Sequence, residues 1–364
     1  MAISLKPSLN WLFVFVPVAV LLDHSGSASD PLIFFAAALA IVPIASLIAR
    51  STEQIAVRTG DAIGGLLNAT FGNLPELIIA TVALRAGLFD MVLASVIGAI
   101  LANLLLAMGL SFFLGGLRYH EQSYNPASAR LYSSMMLIAV FSLAVPSTFR
   151  TFLASGATPR DEAALNIGLA VVLLAMYALY LLFTIRTHPD LFKSVGGKGE
   201  AHHEGKPWPM PQAVAGLVGA SVLAAWMSEI LVGAAEGTGR ALGMSDTFIG
   251  LVFLAIVGGA AESGSAISLG RKNKMDLSVG IALGSCIQIA LFVAPMLVLL
   301  SLFMSPAPLA LAFGRQEIAS LFLTVLLSAI VVGDGHSTWF KGVQLVSVYA
   351  MMALLFFFMP EAAR

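Results

Sequence analysis

Long apolar stretches separated by short polar segments run through the chain from end to end. Uncharged runs of spanning length include 91–117, 131–149, 163–185, 207–228, 277–314 and 342–360. A membrane-spanning helix needs about 20 consecutive, mostly apolar residues. Together with shorter or interrupted runs, the pattern predicts eleven spans, at 8–22, 31–49, 60–84, 89–117, 130–148, 162–186, 210–236, 246–270, 275–303, 316–333 and 340–359.

The composition of the chain also indicates a membrane protein. Of 364 residues, 59% are hydrophobic and 11% are charged, whereas soluble proteins have about a quarter charged residues. We therefore expect an all-α integral membrane protein. The single cysteine, Cys286, excludes an intramolecular disulfide and a cysteine-rich metal cluster. The net charge of −1 implies nothing about nucleic acid, but the sequence lacks a basic patch with interleaved aromatics, so no nucleic-acid partner is expected.

The polar segments between the predicted spans indicate orientation. The longest, residues 187–209, is predicted to be a cytoplasmic linker between two halves of the chain; its His202 and His203 fit either a metal-binding tract or ordinary solvated residues. Thirteen of the nineteen basic residues fall on the same side of the membrane as the N-terminus. By the positive-inside rule the N-terminus is cytoplasmic, and after eleven spans the C-terminus lies outside.

An internal repeat relates the two halves. The segment Gly72–Gly98 aligns without a gap onto Gly258–Gly284 at an offset of 186 residues, which superposes Glu76 on Glu262, Arg85 on Arg271 and Asp90 on Asp276. The copies fall on spans three and eight. Because these spans are five apart, the two copies cross the membrane in opposite directions. The pattern predicts an inverted repeat, in which a transported ion binds near the midplane.

The two repeated glutamates carry the candidate chemistry. An acid inside a spanning segment is costly and marks a functional site, and two facing carboxylates in low dielectric need protons or a metal cation to neutralise them. Ca²⁺ takes six to eight oxygen ligands. Glycine and proline before Glu76, and two glycines before Glu262, predict helix breaks that free backbone carbonyls for such a cation: Gly72 and Pro75 in one copy, Gly258 and Gly259 in the other.

Other polar residues in apolar surroundings have weaker assignments. Four are candidates for accessory coordination, although amides and hydroxyls also join membrane helices as hydrogen-bonding contacts: Asn73, Asn103, Ser285 and Gln288. Three acids are candidates for the access path of the cation, with helix-end charges as the alternative: Glu53, Glu229 and Glu236. Asp90 and Asp276 are predicted to cap the helices that follow them.

Several segments carry a family resemblance: GGLLNATFGNLPELI, GLFDMVLASVIGAILANLLLAMGLSFFLGG, KNKMDLSVGIALGSCIQIALFVAP, WMSEILVGAAE and GDGHSTWFKGV. Over roughly residues 35–355 the chain resembles the Ca²⁺/H⁺ antiporters of the cation-exchanger family, in the Ca²⁺/cation antiporter superfamily. The resemblance implies an N-terminal helix (1–25) and two inverted five-helix repeats (30–186 and 210–364), joined by the linker 187–209. It also implies roles for five residues: Glu76 and Glu262 as the essential acids, Asn73, Gln288 and the span-seven acid Glu229.

The chain also departs from that family. Gly259 stands where the second motif usually has Asn, and Ser263 where it usually has His. Ala99 and Ala102 replace serines that are common in the first repeat. The linker lacks the acidic cluster often found there. These changes remove polar ligands, so they bear on cation preference and on proton coupling.

The expected function is export of Ca²⁺ from the cytoplasm against proton influx by alternating access, in the bacterial inner membrane. Expected partners are Ca²⁺, protons and the lipid bilayer, with a homo-oligomer left open; no resident cofactor and no enzymatic activity are expected. An exchanger coupled to Na⁺ or another cation, and a cation channel, remain as alternatives. Intramembrane proteases fit poorly, because all six histidines fall in predicted loops or at span ends and Asp334 has no second intramembrane aspartate.

Overall fold

The chain folds almost entirely into α-helices. The computed structural model describes residues 9–59, 64, 66–67, 70–149, 158–192 and 208–359. Its helices are α1 (Leu9–Ser25), α2 (Asp30–Thr59), α3 (Leu74–Arg85), α4 (Phe89–Tyr119), α5 (Pro126–Thr148), α6 (Pro159–Leu182), α7 (Met210–Leu242), α8 (Asp246–Gly258), α9 (Ala260–Arg271), α10 (Met275–Met304), α11 (Arg315–Val332) and α12 (Trp339–Phe357). Two short strands are β1 (Glu121–Ser123) and β2 (His336–Thr338).

Most of these helices suit a membrane. Within the described residues, eight are long and apolar enough to cross a bilayer, and the number is nine if α8 and α9, bent by 59° at their junction, form one span. Large apolar side chains are exposed on the outer helices, including Phe141, Phe303 and Ile330. The predicted helical membrane class is therefore confirmed. Predicted span three lies partly outside the described residues, which give only its second part, α3.

Three helices contain a π-helical turn, in which the backbone hydrogen bonds reach one residue further than in an α-helix, and a fourth helix is followed by one. The turns are Ala102–Ala107 in α4, Phe183–Thr187 directly after α6, Ile249–Leu254 in α8 and Ile289–Val293 in α10. Such turns often occur at functional sites. Those in α4 and α10 begin at Ala102 and directly after Gln288, so they adjoin the polar positions Asn103 and Gln288 singled out from the sequence.

Helix α4 lies at the centre of the molecule. In its most apolar part, 94% of the residues are buried inside the protein, compared with 17% for α6 at the periphery. Around it, α2 packs on α7, α3 packs on α7 and α10, and α9 packs on the second half of α4. A helix that is surrounded by protein has apolar residues on every face, as α4 does.

Helices α4 and α8 cross with their backbones in contact. A Cβ atom added at Gly98 would lie 2.5 Å from both the carbonyl carbon and the Cα of Leu251. One added at Gly250 would lie 3.1 Å from the carbonyl carbon of Met91. Small residues allow membrane helices to approach this closely. The two glycines therefore fix the distance between α4 and α8.

The helical fold includes one short ladder that the sequence did not predict, in which β1 and β2 pair antiparallel with Gln122 opposite Ser337. These strands connect the loop after α4 to the loop before α12. The side chain of Gln122 is buried and donates to the carbonyl oxygen of Gly270 and to Asn273 Oδ1, both at 2.9 Å. Loops with buried backbone must pair their polar groups, and a short ladder does so here.

The prediction that Asp90 and Asp276 cap helices is wrong. Both lie inside the first turn of α4 and α10, and the cap positions before them, Leu88 and Lys274, make no side-chain cap hydrogen bond. Asp276 Oδ1 instead accepts a hydrogen bond of 2.6 Å from the backbone nitrogen of Asn125. A first-turn acid is still favourable because it faces the positive end of the helix dipole.

Candidate functional site

The repeated glutamates begin two helices of equal length. Helices α3 (Leu74–Arg85) and α9 (Ala260–Arg271) each have 12 residues, and their bounds differ by the same 186 positions as the sequence repeat. A turn precedes each helix, at 72–73 and at Gly259. Glu76 and Glu262 are the third residues of their helices, where backbone N–H groups are not used within the helix. Of the predicted helix-break residues, Gly72 and Gly259 lie in these turns, whereas Gly258 is the last residue of α8 and Pro75 is the second residue of α3.

Glu76 is the more deeply buried of the two acids. Its side chain is 8% exposed, and neither carboxylate oxygen has a hydrogen-bond partner among the described residues. Glu262 is partly buried, and its Oε2 is likewise buried without such a partner. The turn before α9 lies against Glu76, since a Cβ atom at Gly259 would be 3.6 Å from Glu76 Oε1. A buried charge without a partner is unfavourable, so these oxygens are suited to protons or a cation.

Gly258 explains how the acid of α3 fits against the end of α8. A Cβ atom at this position would lie 2.9 Å from Glu76 Cγ and 3.4 Å from Glu76 Cα. Both are backbone or inner side-chain atoms that cannot move freely. Glycine is therefore needed at 258 for the two helix ends to meet.

An amide pair joins the two halves beside the acids. Asn73 Nδ2 donates a hydrogen bond to Gln288 Oε1, which ties the turn before α3 to α10. Asn73 is 3% exposed and its Oδ1 has no partner among the described residues. The donated bond therefore holds Asn73 with its carbonyl oxygen free, as a cation ligand requires.

Two further predicted residues, Asn103 and Ser285, are buried in the central helices. Asn103 lies in the π-helical turn of α4, one turn beyond Ala99, and its Nδ2 has no partner among the described residues. Ser285 lies in α10, one turn before the end of its α-helical part. Neither lines the cavity next to Glu76.

A small cavity of about 10 Å³ adjoins Glu76, close to the least volume that holds one water molecule. Its wall consists of Glu76 and residues of α3, α4, α8 and α10: Ile79, Ala80, Ser95, Val96, Ala99, Leu254, Ala255, Ile289 and Val293. Most of these are apolar. The carboxyl group of Glu76 therefore faces mostly apolar side chains on this side, where the attraction between unlike charges is stronger than in water.

The other predicted acids lie away from this pair. Glu229 and Glu236 line a separate cleft of about 430 Å³ between α3 and α7. Arg85, at the end of α3, lies 3.8 Å from Glu229 Oε1, and Arg240 lies 3.4 Å from Glu236 Oε2. Glu53 is exposed on α2, inside a helix that extends ten residues beyond its predicted end, and it lines neither cavity.

Sequence reasoning missed the part played by Arg85. Its repetition as Arg271 was visible, but nothing in the pattern indicated that it pairs with Glu229 on another helix. In the described residues, no cluster of three or more His, Cys, Asp or Glu side chains is arranged to hold a metal ion. His202 and His203 lie outside the described residues. Any cation at Glu76 and Glu262 therefore needs amide, carbonyl, hydroxyl or water oxygens as additional ligands.

Comparison with known proteins agrees with this geometry. The family model described as sodium/calcium exchanger protein matches residues 29–186 and 212–358. The Ca²⁺/H⁺ antiporter ChaA of Bacillus subtilis (strain 168) is 38% identical and covers 95% of this chain and 98% of its own length. The Ca²⁺/H⁺ antiporter of Aphanothece halophytica is 38% identical and covers 96% of each chain.

Solved structures point the same way. The structure of native YfkE superposes with a TM-score of 0.80 at 37% identity, covering 96% of this chain and 100% of its own. The resemblance to Ca²⁺/H⁺ antiporters seen in the motifs is thereby confirmed. The matched family model extends over both halves and includes Glu76 and Glu262. The chain belongs to the sodium/calcium exchanger protein family.

Proposed function

We propose that this protein is a secondary active antiporter that exports Ca²⁺ from the cytoplasm against proton influx by alternating access. One observation carries the proposal. Two carboxylates, Glu76 and Glu262, begin equivalent helices in apolar surroundings, and three of their four oxygens are buried without a hydrogen-bond partner among the described residues. Relatives at 38% identity over nearly the whole chain are named Ca²⁺/H⁺ antiporters, which supports the choice of ions.

Competition for one pair of carboxylates supplies the coupling. When ionised, Glu76 and Glu262 carry two negative charges that a divalent cation neutralises; when protonated, the same groups are neutral and no longer attract the cation. Ca²⁺ needs six to eight oxygens. We assign Asn73 Oδ1 to the ligand set, with backbone carbonyls at the helix breaks and water as the others. Gln288 orients Asn73, and Asn103 and Ser285 are the accessory polar groups of the central helices.

We also propose the finer architecture. The chain has eleven spans, namely an N-terminal helix (1–25) and two inverted five-helix repeats (30–186 and 210–364), joined by a cytoplasmic linker (187–209). The equal bounds of α3 and α9 at an offset of 186 support the repeat. The N-terminus is cytoplasmic and the C-terminus outside, in the bacterial inner membrane. The cleft with Glu229 and Glu236 then opens to the outside, and the cation leaves through it.

Ca²⁺ flux in proteoliposomes tests the proposal. An imposed pH gradient should drive uptake of radiolabelled Ca²⁺, and Glu76→Gln or Glu262→Gln should abolish it, because each removes a charge while keeping the side-chain shape. Glu162→Gln, in the first turn of the peripheral helix α6, is the matched control and should transport normally. Undiminished uptake in either of the first two variants would refute the assignment of the site.

The same vesicles separate the alternatives. Collapse of the pH gradient with an ionophore should stop uptake; uptake that continues and follows a Na⁺ gradient would identify a Na⁺-coupled exchanger. An electrical current that persists without coupling to protons or to another ion would identify a channel. Competition by Na⁺, K⁺, Mg²⁺ and Mn²⁺ then orders the cations that the carboxylates accept.

A further inference from the structure

The two halves of the site differ at one pair of equivalent positions. Three residues before Glu76 stands Asn73, whose amide oxygen faces no protein partner among the described residues. Three residues before Glu262 stands Gly259, which has no side chain. The residue after Glu262 is Ser263, where the first half has Leu77. One half therefore offers an amide before its acid, and the other offers a hydroxyl after it.

The backbone does not require glycine at 259. Its φ of −77° and ψ of 11° lie in a region that other residues also occupy. Gly258 differs, because a Cβ atom there would press on Glu76 Cγ at 2.9 Å. At Gly259 the nearest atoms to an added Cβ, among the described residues, are three oxygens: Ala255 O at 3.2 Å, Glu76 Oε1 at 3.6 Å and Ser263 Oγ at 4.0 Å.

This environment suits a water molecule. A buried water makes two to four hydrogen bonds to polar groups, and the position of the absent side chain is surrounded by a carbonyl, a carboxylate and a hydroxyl oxygen. Glu76 Oε1 is buried and accepts no hydrogen bond from the described residues. Buried polar atoms are almost always satisfied by protein or by ordered water. A water between Glu76 and Ser263 meets that requirement without any change in the backbone.

We infer that Gly259 determines cation specificity, because the room it leaves between Glu76 Oε1 and Ser263 Oγ holds a water that is a ligand of the bound divalent cation. This inference rests on the proposed function, since it assigns a ligand of the same site. A side-chain amide is attached to the backbone and sets a fixed distance to the cation. A water can move, so the site adapts to cations of different size, and it tolerates Sr²⁺ beside the smaller Ca²⁺.

Two substitutions at this position have opposite effects. Gly259→Ala fills the room without supplying an oxygen, so the half-saturating concentrations of Ca²⁺ and Sr²⁺ should both rise, by about tenfold for one lost ligand to a charged group. Gly259→Asn restores an amide equivalent to Asn73. It should lower the half-saturating concentration of Ca²⁺ and increase the preference for Ca²⁺ over Sr²⁺, because an attached ligand adapts less.

Two further variants complete the design. Ser263→Ala removes the second partner of the water and should weaken the binding of both cations, as Gly259→Ala does. Gly264→Ala is the matched control, since a Cβ atom there meets nothing within 4 Å among the described residues, and both cations should behave as in the wild type. Uptake of both cations is measured in proteoliposomes. The rise in melting temperature with Ca²⁺ and with Sr²⁺, measured in detergent, reports binding without transport.

The outcomes are decisive in either direction. Gly259→Ala with wild-type half-saturation, or Gly259→Asn with an unchanged Ca²⁺ to Sr²⁺ preference, would overturn the inference. If Gly259→Asn does not fold, Gly259→Ala and Ser263→Ala decide the question by the melting-temperature shift. Failure of the proposed function looks different: the wild type itself would show no pH-driven Ca²⁺ uptake, or Glu76→Gln would retain it.

Discussion

Replacement of Gly98 by alanine should separate the two central helices and destabilise the protein. The added Cβ would lie 2.5 Å from the carbonyl carbon and from the Cα of Leu251. Because ordinary contact begins at 3.4 Å, α4 and α8 must move apart by at least 0.9 Å. The obstacle is helix backbone, which cannot turn away as a flexible side chain can.

The expected cost follows from this geometry. Overpacking of a well-packed core costs about 1–3 kcal/mol when side chains can adjust, and the upper end applies here because backbone must shift. For a chain of this length, about 3 kcal/mol corresponds to a fall in melting temperature of about 4 °C. Transport should fall as well, because Ala99 and Leu254, adjacent to this crossing, line the cavity beside Glu76.

The assay is thermal unfolding of the purified protein in detergent, followed by tryptophan fluorescence, with Ca²⁺ uptake measured in parallel. Gly168→Ala is the control. Gly168 is exposed in the middle of the peripheral helix α6, and no described atom lies within 4 Å of an added Cβ. Alanine favours a helix over glycine, so this variant should be at least as stable as the wild type. A Gly98→Ala protein as stable as Gly168→Ala would refute the close crossing.

Two other changes have expected outcomes. Gln288→Ala leaves Asn73 Nδ2 buried without an acceptor, which should lower the free energy of unfolding by about 1–3 kcal/mol. It should also raise the half-saturating concentration of Ca²⁺. Gln288→Glu keeps an acceptor and should recover part of both the stability and the Ca²⁺ binding. Partial burial is the largest single influence and raises the pKa of Asp334. The hydrogen bonds from Lys341 Nζ and from the backbone nitrogen of His336, together with the electrostatic attraction to both residues, outweigh it and hold the pKa of Asp334 below its ordinary value of 3.8. The stabilisation is present above that value and is lost as pH falls through the lower folded pKa. Asp334→Asn should therefore reduce the free energy of unfolding at pH 7 by less than about 1 kcal/mol at this exposed site, seen as a small fall in melting temperature, and should have no effect in strong acid. Equal loss at both pH values would contradict the pairing.

Hydropathy predicts much of the helical framework. The predicted spans 89–117, 275–303 and 340–359 agree within two residues at each end with α4, α10 and α12. The agreement has a physical cause: inside a bilayer every backbone polar group must be paired within the segment, so a long apolar run has little choice but to form a helix.

Hydropathy fails where the chain leaves the apolar region. Helix α2 continues to Thr59, ten residues past its predicted end. Its last turns are polar, and hydropathy detects only the part of a helix that lies in the lipid. The pairing of β1 with β2 and the ion pair of Arg85 with Glu229 were not predictable either. Both join residues that are more than 140 positions apart in sequence, and no local pattern specifies which loop or helix end lies next to another.

The candidate site shows a deeper limit. The repeat predicts that Glu76 and Glu262 are equivalent, and their helices do have the same length and the same offset. Their surroundings are nevertheless unequal, since Glu76 is almost fully buried while Glu262 is partly accessible. In the proposed inverted repeat this inequality is expected: a site that is open to only one side of the membrane must break the symmetry of its two halves.

The difference between Asn73 and Gly259 is a difference in sequence, so it does not change with conformation as the burial of the two acids can. Exchange of the two halves between inward-facing and outward-facing states can reverse which acid is more accessible, but it cannot move an amide from one half to the other. In the proposed site, Asn73 therefore supplies its ligand in both states, and the inferred water at Gly259 is the ligand that can leave. A cation bound partly through water loses that ligand more readily than a side chain, so Gly259→Asn should slow Ca²⁺ release and lower the maximal transport rate while tightening binding. A variant that binds more tightly and also turns over faster would contradict this argument.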